Sequence, residues 1–271
     1  MSAAALAFAL GAAFLHAAWN LALARARDTT AAAAVILALS IVIVTPVALA
    51  RWRVDGDAWG LIVLSGVLET VYFFLLTAGY TRGQMSVVYP IARGLAPVVV
   101  LAAGALFLDQ TAAAAATVGV LLIALGVLLV RGFRAPDHVS VAFGLVTACA
   151  IASYTLVDDR GIERADPITY LWLVLLMPSA VTIAYVARRR PDALRTALTW
   201  SAIPLAIAGF GAYALALFAL DITDAAPVAA VRETSVVIAV AFAAVVLNER
   251  VTRARVAGAA LVVAGILALA L

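Results

Sequence analysis

The chain of 271 residues carries little charge, a single cysteine and no lysine. Charged residues make up 12% of it against 66% hydrophobic residues, and the mean hydropathy is +1.14. These proportions exclude an ordinary soluble domain, because long apolar stretches are typical of membrane proteins. The one cysteine, Cys149, excludes an intramolecular disulfide framework and any cysteine-based metal site.

Motifs for chemical catalysis are also missing. The sequence has no HExxH and no Gly-x-Ser-x-Gly, and it has no nucleotide-binding loop, so ATP does not drive the protein directly. The net charge of +3 gives no nucleic-acid signal, because most of the arginines lie at helix ends. We therefore expect a protein that is not an enzyme, with no cofactor, no metal and no nucleic-acid partner.

Charges, prolines and glycines divide the chain into apolar segments of about 20 residues. A helix of that length spans roughly 30 Å at ~1.5 Å per residue, which matches the hydrocarbon core of a bilayer. The first segment lacks a basic n-region and is too long for a typical signal peptide, so we expect it to be retained. We predict an all-α polytopic membrane protein with ten transmembrane helices over residues 2–24, 31–50, 58–80, 85–108, 112–131, 140–158, 167–187, 200–220, 225–247 and 252–271.

The last part of the first half and the last part of the second half have similar sequences, at an offset of 139 positions. The residues that coincide include Arg93 and Arg232, Asp109 and Asn248, Gly119 and Gly258, and Gly126 and Gly265. Such a period indicates one ancestral unit that was duplicated and fused. Five helices per half is an odd number, so the second copy enters the membrane from the opposite side. The sequence predicts two inverted five-helix repeats, 1–135 and 136–271, which together form one transport domain.

The arginines predict the orientation. Loops after the odd-numbered helices hold 12 arginines, whereas loops after the even-numbered helices hold 4. The positive-inside rule places the odd-numbered loops in the cytoplasm and both termini outside. Two arginines, Arg93 and Arg232, lie inside helices, where each costs about 2.5–3.5 kcal/mol on insertion scales. Both are near the membrane midplane, and the repeat predicts that they are close together.

Two guanidinium groups and two carboxylates, Glu69 and Glu233, suit a central site for a charged substrate. The alternative is that Arg93 pairs with Glu69, and Arg232 with Glu233, only to hold the fold together. Adjacent helical residues point about 100° apart, which makes the second pairing poor. Glu69, His16 and Glu233 are candidates for proton coupling, because a carboxyl group in a low-dielectric interior takes up a proton readily. The alternatives are that Glu69 is a permanent counter-ion for Arg93 and that His16 has a structural role.

Helical spacing places His16, Trp19 and Asn20 on one face of helix 1. Aromatic residues suited to a cation–π box for an ammonium group are Trp19, Tyr72, Tyr89, Tyr154, Trp172 and Tyr213. Packing or interface anchoring is the alternative for these residues. The predicted substrate-binding set is Arg93, Arg232, Glu69, Trp19, Asn20, Tyr72, Tyr89 and Tyr154.

Small residues recur at a four-residue spacing in helices 5 and 10. Ala115 and Gly119 form the first pair, and Ala254 and Gly258 form the second. Small-xxx-small spacing allows close contact between helices, either within the chain or between two copies. We therefore expect a monomer or a weak homodimer.

Three stretches carry a family resemblance: "LHAAWNLALAR" in helix 1, "VYPIARGLAPVVVLAAGALFLDQ" in helices 4 and 5, and "AAVRETSVVIAVAFAAVVLNERVTRARVAGAALVVAGILAL" at the end. The chain resembles, over essentially its whole length, the EamA-like branch of the drug/metabolite transporter superfamily. The most specific part is Asn248-Glu249-Arg250, and the first half departs from the pattern with Asp109-Gln110. The resemblance implies a ten-helix transporter of the inner membrane, often an exporter of amino acids or other small metabolites.

These observations together predict a secondary active transporter that exports a small anionic or zwitterionic, amino-acid-like metabolite by alternating access. Its expected partners are the small-molecule substrate, the lipid bilayer and protons. Two alternatives are an exporter of cationic or amphipathic drugs and a lipid flippase.

Overall fold

The computed structural model describes residues 1–23, 25–82, 85–107, 113–131, 137–238, 241 and 252–270, which are almost entirely helical. Within these residues, seven helices are long and apolar enough to cross a membrane, and two shorter apolar stretches, Ile91–Phe107 and Ala114–Val130, accompany them. The predicted all-helical membrane fold is confirmed. The helices are α1 (Ala3–Leu23), α2 (Thr29–Ala50), α3 (Ala58–Arg82), α4 (Met85–Phe107), α5 (Ala114–Arg131), α6 (His138–Ile162), α7 (Pro167–Arg189), α8 (Pro191–Ala197), α9 (Ala202–Leu220), α10 (Ala225–Arg232) and α11 (Arg253–Ala270).

The helix predicted over residues 225–247 is not continuous, so this part of the prediction is wrong. Helix α10 ends at Arg232, and the backbone N–H groups of Glu233 and Thr234 donate to Ala230 O and Val231 O, both at 3.0 Å. Bonds to the third preceding residue tighten the chain relative to an α-helix. Helical conformation returns at 235–238. The break therefore lies directly beside the arginine that the sequence singles out.

Helix α6 is one turn longer than predicted, and a short helix, α8, occupies a stretch that was predicted as a loop. The predicted end of α6 at residue 158 rested on the charges of Asp158 and Asp159. The helix continues to Ile162 because Asp158 is buried, at 1% exposure, and bonded to other side chains rather than to solvent. The extension moves Asp158 from a helix end into the interior of the bundle.

The two halves interlock through reciprocal contacts. Helices α6, α7, α9, α10 and α11 occupy in the second half the places of α1, α2, α3, α4 and α5 in the first. Helix α1 packs on α9 as α3 packs on α6, helix α2 packs on α9 as α3 packs on α7, and α4 packs on α6 as α1 packs on α10. If each helix is replaced by its equivalent in the other half, each of these contacts becomes another contact of the same set.

Helices α2 and α7 are joined at both ends by the same arrangement. Asp28 caps α2, and its other carboxylate oxygen accepts from Arg190 Nη1, at the end of α7, at 2.9 Å. Asp166 caps α7, and its other oxygen accepts from Arg51 Nη2, at the end of α2, at 2.8 Å. We call these two ion pairs the clasps. Since the start of each helix meets the end of the other, α2 and α7 are antiparallel.

Helices α5 and α11 also run antiparallel, at very close range. Gly119 faces Gly265, and Gly126 faces Gly258. A Cβ atom on Gly126 would lie 2.6 Å from the carbonyl oxygen of Gly258, closer than any packed side chain allows. The small residues therefore serve contact between the halves of one chain, and these glycines do not provide the dimer interface that was considered for them.

Candidate functional site

Arg93 is fixed at the centre of the bundle by residues from two other elements. Its Nε lies 2.9 Å from Glu233 Oε2, in the break after α10, and both side chains are buried. Its Nη2 lies 3.4 Å from His16 Nε2 on α1. A guanidinium group can only donate, so His16 Nε2 must carry a lone pair and the imidazole is neutral in this contact.

The two structural pairings considered from sequence, Arg93 with Glu69 and Arg232 with Glu233, are both wrong. Glu233 pairs with Arg93 instead. Consecutive residues of a helix point in different directions, and the break after Arg232 turns Glu233 towards α4. Glu69 joins a separate set of residues.

That second set is a network of hydroxyl and carboxyl groups around Asp158. Ser65 Oγ donates to Asp158 Oδ1 at 2.5 Å, and Tyr170 Oη donates to the same oxygen at 3.0 Å. Tyr213 Oη lies 2.5 Å from Asp158 Oδ2 and 2.7 Å from Glu69 Oε1. We call Glu69, Tyr213 and Asp158 the carboxyl–tyrosine cluster. Helices α3, α6, α7 and α9 each contribute to the network, so it forms only when both halves are packed together.

Tyr170 approaches Asp158 closely because residue 161, almost one turn further along α6, is a glycine. A Cβ atom at Gly161 would overlap the ring and hydroxyl of Tyr170. The absence of a side chain at this position therefore allows one of the hydrogen bonds to Asp158.

Arg232 has a different environment from Arg93. It is half-buried, and its guanidinium carbon lies 5.3 Å from the centre of the Tyr213 ring, which is the range of a cation–π contact. Among the described residues, no carboxylate forms an ion pair with Arg232. The two arginines that coincide in the repeat are thus chemically distinct: the charge of Arg93 is neutralised by Glu233, whereas Arg232 lies on an aromatic face.

The structure brings only part of the predicted aromatic box together. The ring of Tyr154 lies 5.8 Å from Tyr72 and 6.4 Å from Tyr213, centre to centre. Trp172 lies elsewhere, where its indole N–H donates to Ile41 O at 3.2 Å and joins α7 to α2. The side chain of Tyr89 lies outside the described residues. Of the three tyrosines that lie together, Tyr213 already has a cation at its ring face, which is the guanidinium group of Arg232.

Two residues of α1 that were predicted to bind substrate, Trp19 and Asn20, differ in their hydrogen bonding. Trp19 packs edge-on against His16 with ring centres 5.6 Å apart, and its indole nitrogen is buried without a hydrogen-bond partner in the part of the chain that the structure describes. Asn20 donates to His16 O of its own helix at 2.7 Å. The side chain of Trp19 is therefore the better placed of the two to take a new partner.

The central charges nearly balance. Arg93 and Arg232 face Glu69, Asp158 and Glu233, which are two cations against three carboxyl groups. Asp158 is the member that the sequence did not predict as part of a site, since it was interpreted as a helix end, and Tyr213 was predicted only for the aromatic box. Among the described residues, no group of three or more His, Cys, Asp or Glu side chains is arranged to hold a metal ion.

A shell of apolar helices around a charged centre defines an integral membrane protein that crosses the bilayer several times. The model of the EamA-like transporter family matches residues 3–132 and again residues 138–271. The chain belongs to this family of membrane transporters, within the drug/metabolite transporter superfamily.

Among solved structures, the chain is similar to one described as "Crystal structure of protein", with a TM-score of 0.78 and 16% identity. The similarity covers 99% of this chain and 97% of that chain. At this level of identity it shows the fold alone. No curated protein matches the chain in sequence.

Proposed function

We propose that the protein is a secondary active transporter of the inner membrane that exports a small anionic or zwitterionic, amino-acid-like metabolite by alternating access. The chain crosses the membrane ten times, with residues 1–135 and 136–271 as inverted repeats of one transport domain. The antiparallel courses of α2 and α7, and of α5 and α11, support this arrangement, because equivalent helices of inverted repeats must run in opposite directions.

The observation that carries the proposed substrate class is the free face of Arg232. A half-buried guanidinium held by an aromatic ring keeps its planar set of N–H donors available for a carboxylate. The repeat explains why no carboxylate among the described residues occupies that place. The exchange that carries Arg93 onto Arg232 carries Glu233 onto Gly94, which has no side chain. Arg93 therefore has a partner from the other half, whereas the equivalent place beside Arg232 is left for a ligand.

An ammonium group on the same ligand finds two kinds of partner nearby. Tyr213 contacts both Arg232 and Glu69, so a carboxylate bound to Arg232 brings an adjacent ammonium group towards Glu69. The faces of Tyr72 and Tyr154 add cation–π partners. A purely cationic drug lacks the anion that Arg232 attracts, so the zwitterion is favoured over it.

Ligand-induced stabilisation of the purified protein tests this function. A ligand that binds the folded state raises the midpoint of thermal unfolding, and the rise grows with the logarithm of the ligand concentration divided by its dissociation constant. We expect amino acids and small carboxylates to raise it in the wild-type protein. Arg232→Gln and Arg232→Lys should each weaken binding about 10- to 100-fold, because charge-assisted hydrogen bonds contribute ~1.5–3 kcal/mol and lysine lacks the planar pair of donors.

The matched control is Arg160→Gln, which removes a surface arginine that is paired only with Glu163 of its own helix region, at 3.4 Å. It should leave ligand binding unchanged. Stabilisation by organic ammonium compounds but by no carboxylate would contradict the proposal and favour the cation exporter.

A further inference from the structure

The hydroxyl group of Tyr213 lies between two carboxyl groups and contacts both. Its oxygen is 2.7 Å from Glu69 Oε1 and 2.5 Å from Asp158 Oδ2. A phenol has one proton, so it donates to only one of these oxygens at a time. The other contact joins two oxygens that repel each other unless the carboxyl group itself carries a proton and donates it to the phenol. The geometry therefore favours one proton on one of the two carboxyl groups.

The surrounding hydrogen bonds indicate where this proton resides. Asp158 accepts from Ser65 and Tyr170 at Oδ1, and it offers Oδ2 to Tyr213. Three donors suit an ionised carboxylate. Glu69 is then the acid, whose O–H donates to Tyr213 while the Tyr213 O–H donates to Asp158.

The charges of the two arginines and three carboxyl groups at the centre agree with one bound proton. Two arginines and three carboxylates leave one negative charge in excess, and one bound proton removes it. The groups that face the cluster are Ser65 and Tyr72 on α3, Tyr154 on α6, Tyr170 on α7 and Arg232 on α10, with Arg93 on α4 and His16 on α1 beyond them. His16 accepts from Arg93 and Glu233 is paired with Arg93, so neither is available for the proton.

The repeat places the carboxyl group of Asp158 in the second half only. Asp158 precedes Asp166, which caps α7, by eight residues, and the residue that precedes the capping Asp28 by eight is Asn20. Asn20 is an amide that cannot ionise and that donates to its own backbone. The first half therefore has a neutral group at the place where the second half has a carboxylate.

We propose that the carboxyl–tyrosine cluster binds a single proton and that this proton is the coupling ion of the transporter, which rests on the transport function proposed above. Proton transfer within the cluster is balanced. The Glu69 O–H bond breaks and its proton passes to Tyr213 Oη, while the original Tyr213 proton passes to Asp158 Oδ2. Glu69 becomes the carboxylate and Asp158 becomes the acid.

Exchange with substrate follows from the same geometry. A zwitterion whose carboxylate binds Arg232 places its ammonium group at Glu69, where it replaces the proton. Tyr213 then donates to Asp158 alone, and the negative charge of Asp158 is held by the hydrogen bonds from Tyr213, Ser65 and Tyr170. One proton is released for each substrate bound, so the substrate and the proton are carried in opposite directions.

Infrared spectroscopy of the purified protein tests the proton site without a substrate. We expect the wild-type protein to show a protonated carboxyl band at neutral pH that is lost in Glu69→Gln and in Asp158→Asn, because sharing needs both carboxyl groups. Glu163→Gln, which removes an exposed carboxyl group, should keep the band. A wild-type protein without the band, or a band that persists in both single variants, would overturn the proposal. We expect Glu69→Gln to disturb folding less than Asp158→Asn, because Glu69 is half-buried whereas Asp158 accepts three hydrogen bonds.

Transport of radiolabelled amino acids in proteoliposomes tests the coupling. In Glu69→Gln, the ratio of amino-acid accumulation with a pH gradient to accumulation at equal pH should fall at least 10-fold, whatever the variant does to the overall rate of transport. Gradient-driven accumulation at the wild-type rate would refute the coupling role. If the wild-type protein moves no amino acid in either mode, the proposed function fails, and the infrared band alone then decides whether the proton site exists.

Discussion

The buried pair of Arg93 and Glu233 allows a quantitative prediction about stability. Their charged atoms are 2.9 Å apart, and the side chains are 6% and 5% exposed. At a separation of ~4 Å between charge centres and an effective dielectric constant of about 20, the attraction is about 4 kcal/mol. Removing one member of a buried pair also leaves an uncompensated charge, at a cost of about 3–5 kcal/mol. We expect Arg93→Gln and Glu233→Gln each to destabilise the protein by that amount.

The double variant should recover most of the loss, since no buried charge is left unpaired. The free energy of unfolding, measured by titration with sodium dodecyl sulfate in mixed micelles, gives a coupling energy of about 3–4 kcal/mol for this pair. The corresponding cycle on Arg160 and Glu163, which are 40% and 56% exposed, serves as the control and should show little coupling. Single variants that cost less than ~1 kcal/mol, or a double variant that loses the sum of both, would refute the pairing. Near-normal substrate binding in the double variant would further assign the substrate carboxylate to Arg232 rather than to Arg93.

Two further predictions concern α1 and the orientation. Trp19→Phe, which keeps an aromatic ring but removes the unpartnered N–H, should weaken substrate binding several-fold and leave stability nearly unchanged; equal loss of binding and folded yield would return Trp19 to a packing role. In a background without Cys149, a cysteine in place of Arg51 should react with an impermeant thiol reagent applied outside the cell, whereas one in place of Arg190, at the opposite end of the clasped helices, should not. The reverse labelling pattern would invert the predicted topology.

The positions of the helices were predictable because the membrane demands apolar segments of fixed length, and charges mark their ends. The rule that charged residues mark helix ends failed where a carboxyl group is hydrogen-bonded inside the protein. Asp158 looked like a helix end, yet hydroxyl groups from α3, α7 and α9 make it an interior residue. The break at Glu233 also escaped prediction, because residues 228–238 contain no proline or glycine to mark it.

The members of the site were partly predictable, but their partners were not. Intramembrane charge singled out Arg93, Arg232 and Glu69, since burial of charge is costly without a reason. Periodicity shows which residues share a helix face, but it does not show which helices touch. The asymmetry of the repeat held a usable signal: Gly94 follows one arginine where Glu233 follows the other. Comparing the two halves at the positions where they differ, rather than where they coincide, therefore identifies residues whose roles differ between the halves.

The clasps have a consequence for how a pH gradient acts on the protein. The capping N–H of Ala31, and then Arg190, hold the pKa of Asp28 below its usual value. Burial alone would raise the pKa of Asp166, but the bonds from Arg51 and from the start of α7 lower it overall. A carboxyl group with a depressed pKa contributes stability above the ordinary value of about 3.9 and loses it only as the pH falls below that value. The clasps lie at opposite ends of α2 and α7, which are each long and apolar enough to cross a membrane, so in the proposed topology they face different sides of the bilayer. Both clasps therefore stay formed at any pH well above about 4, and the pH-dependent step that we propose is confined to the carboxyl–tyrosine cluster.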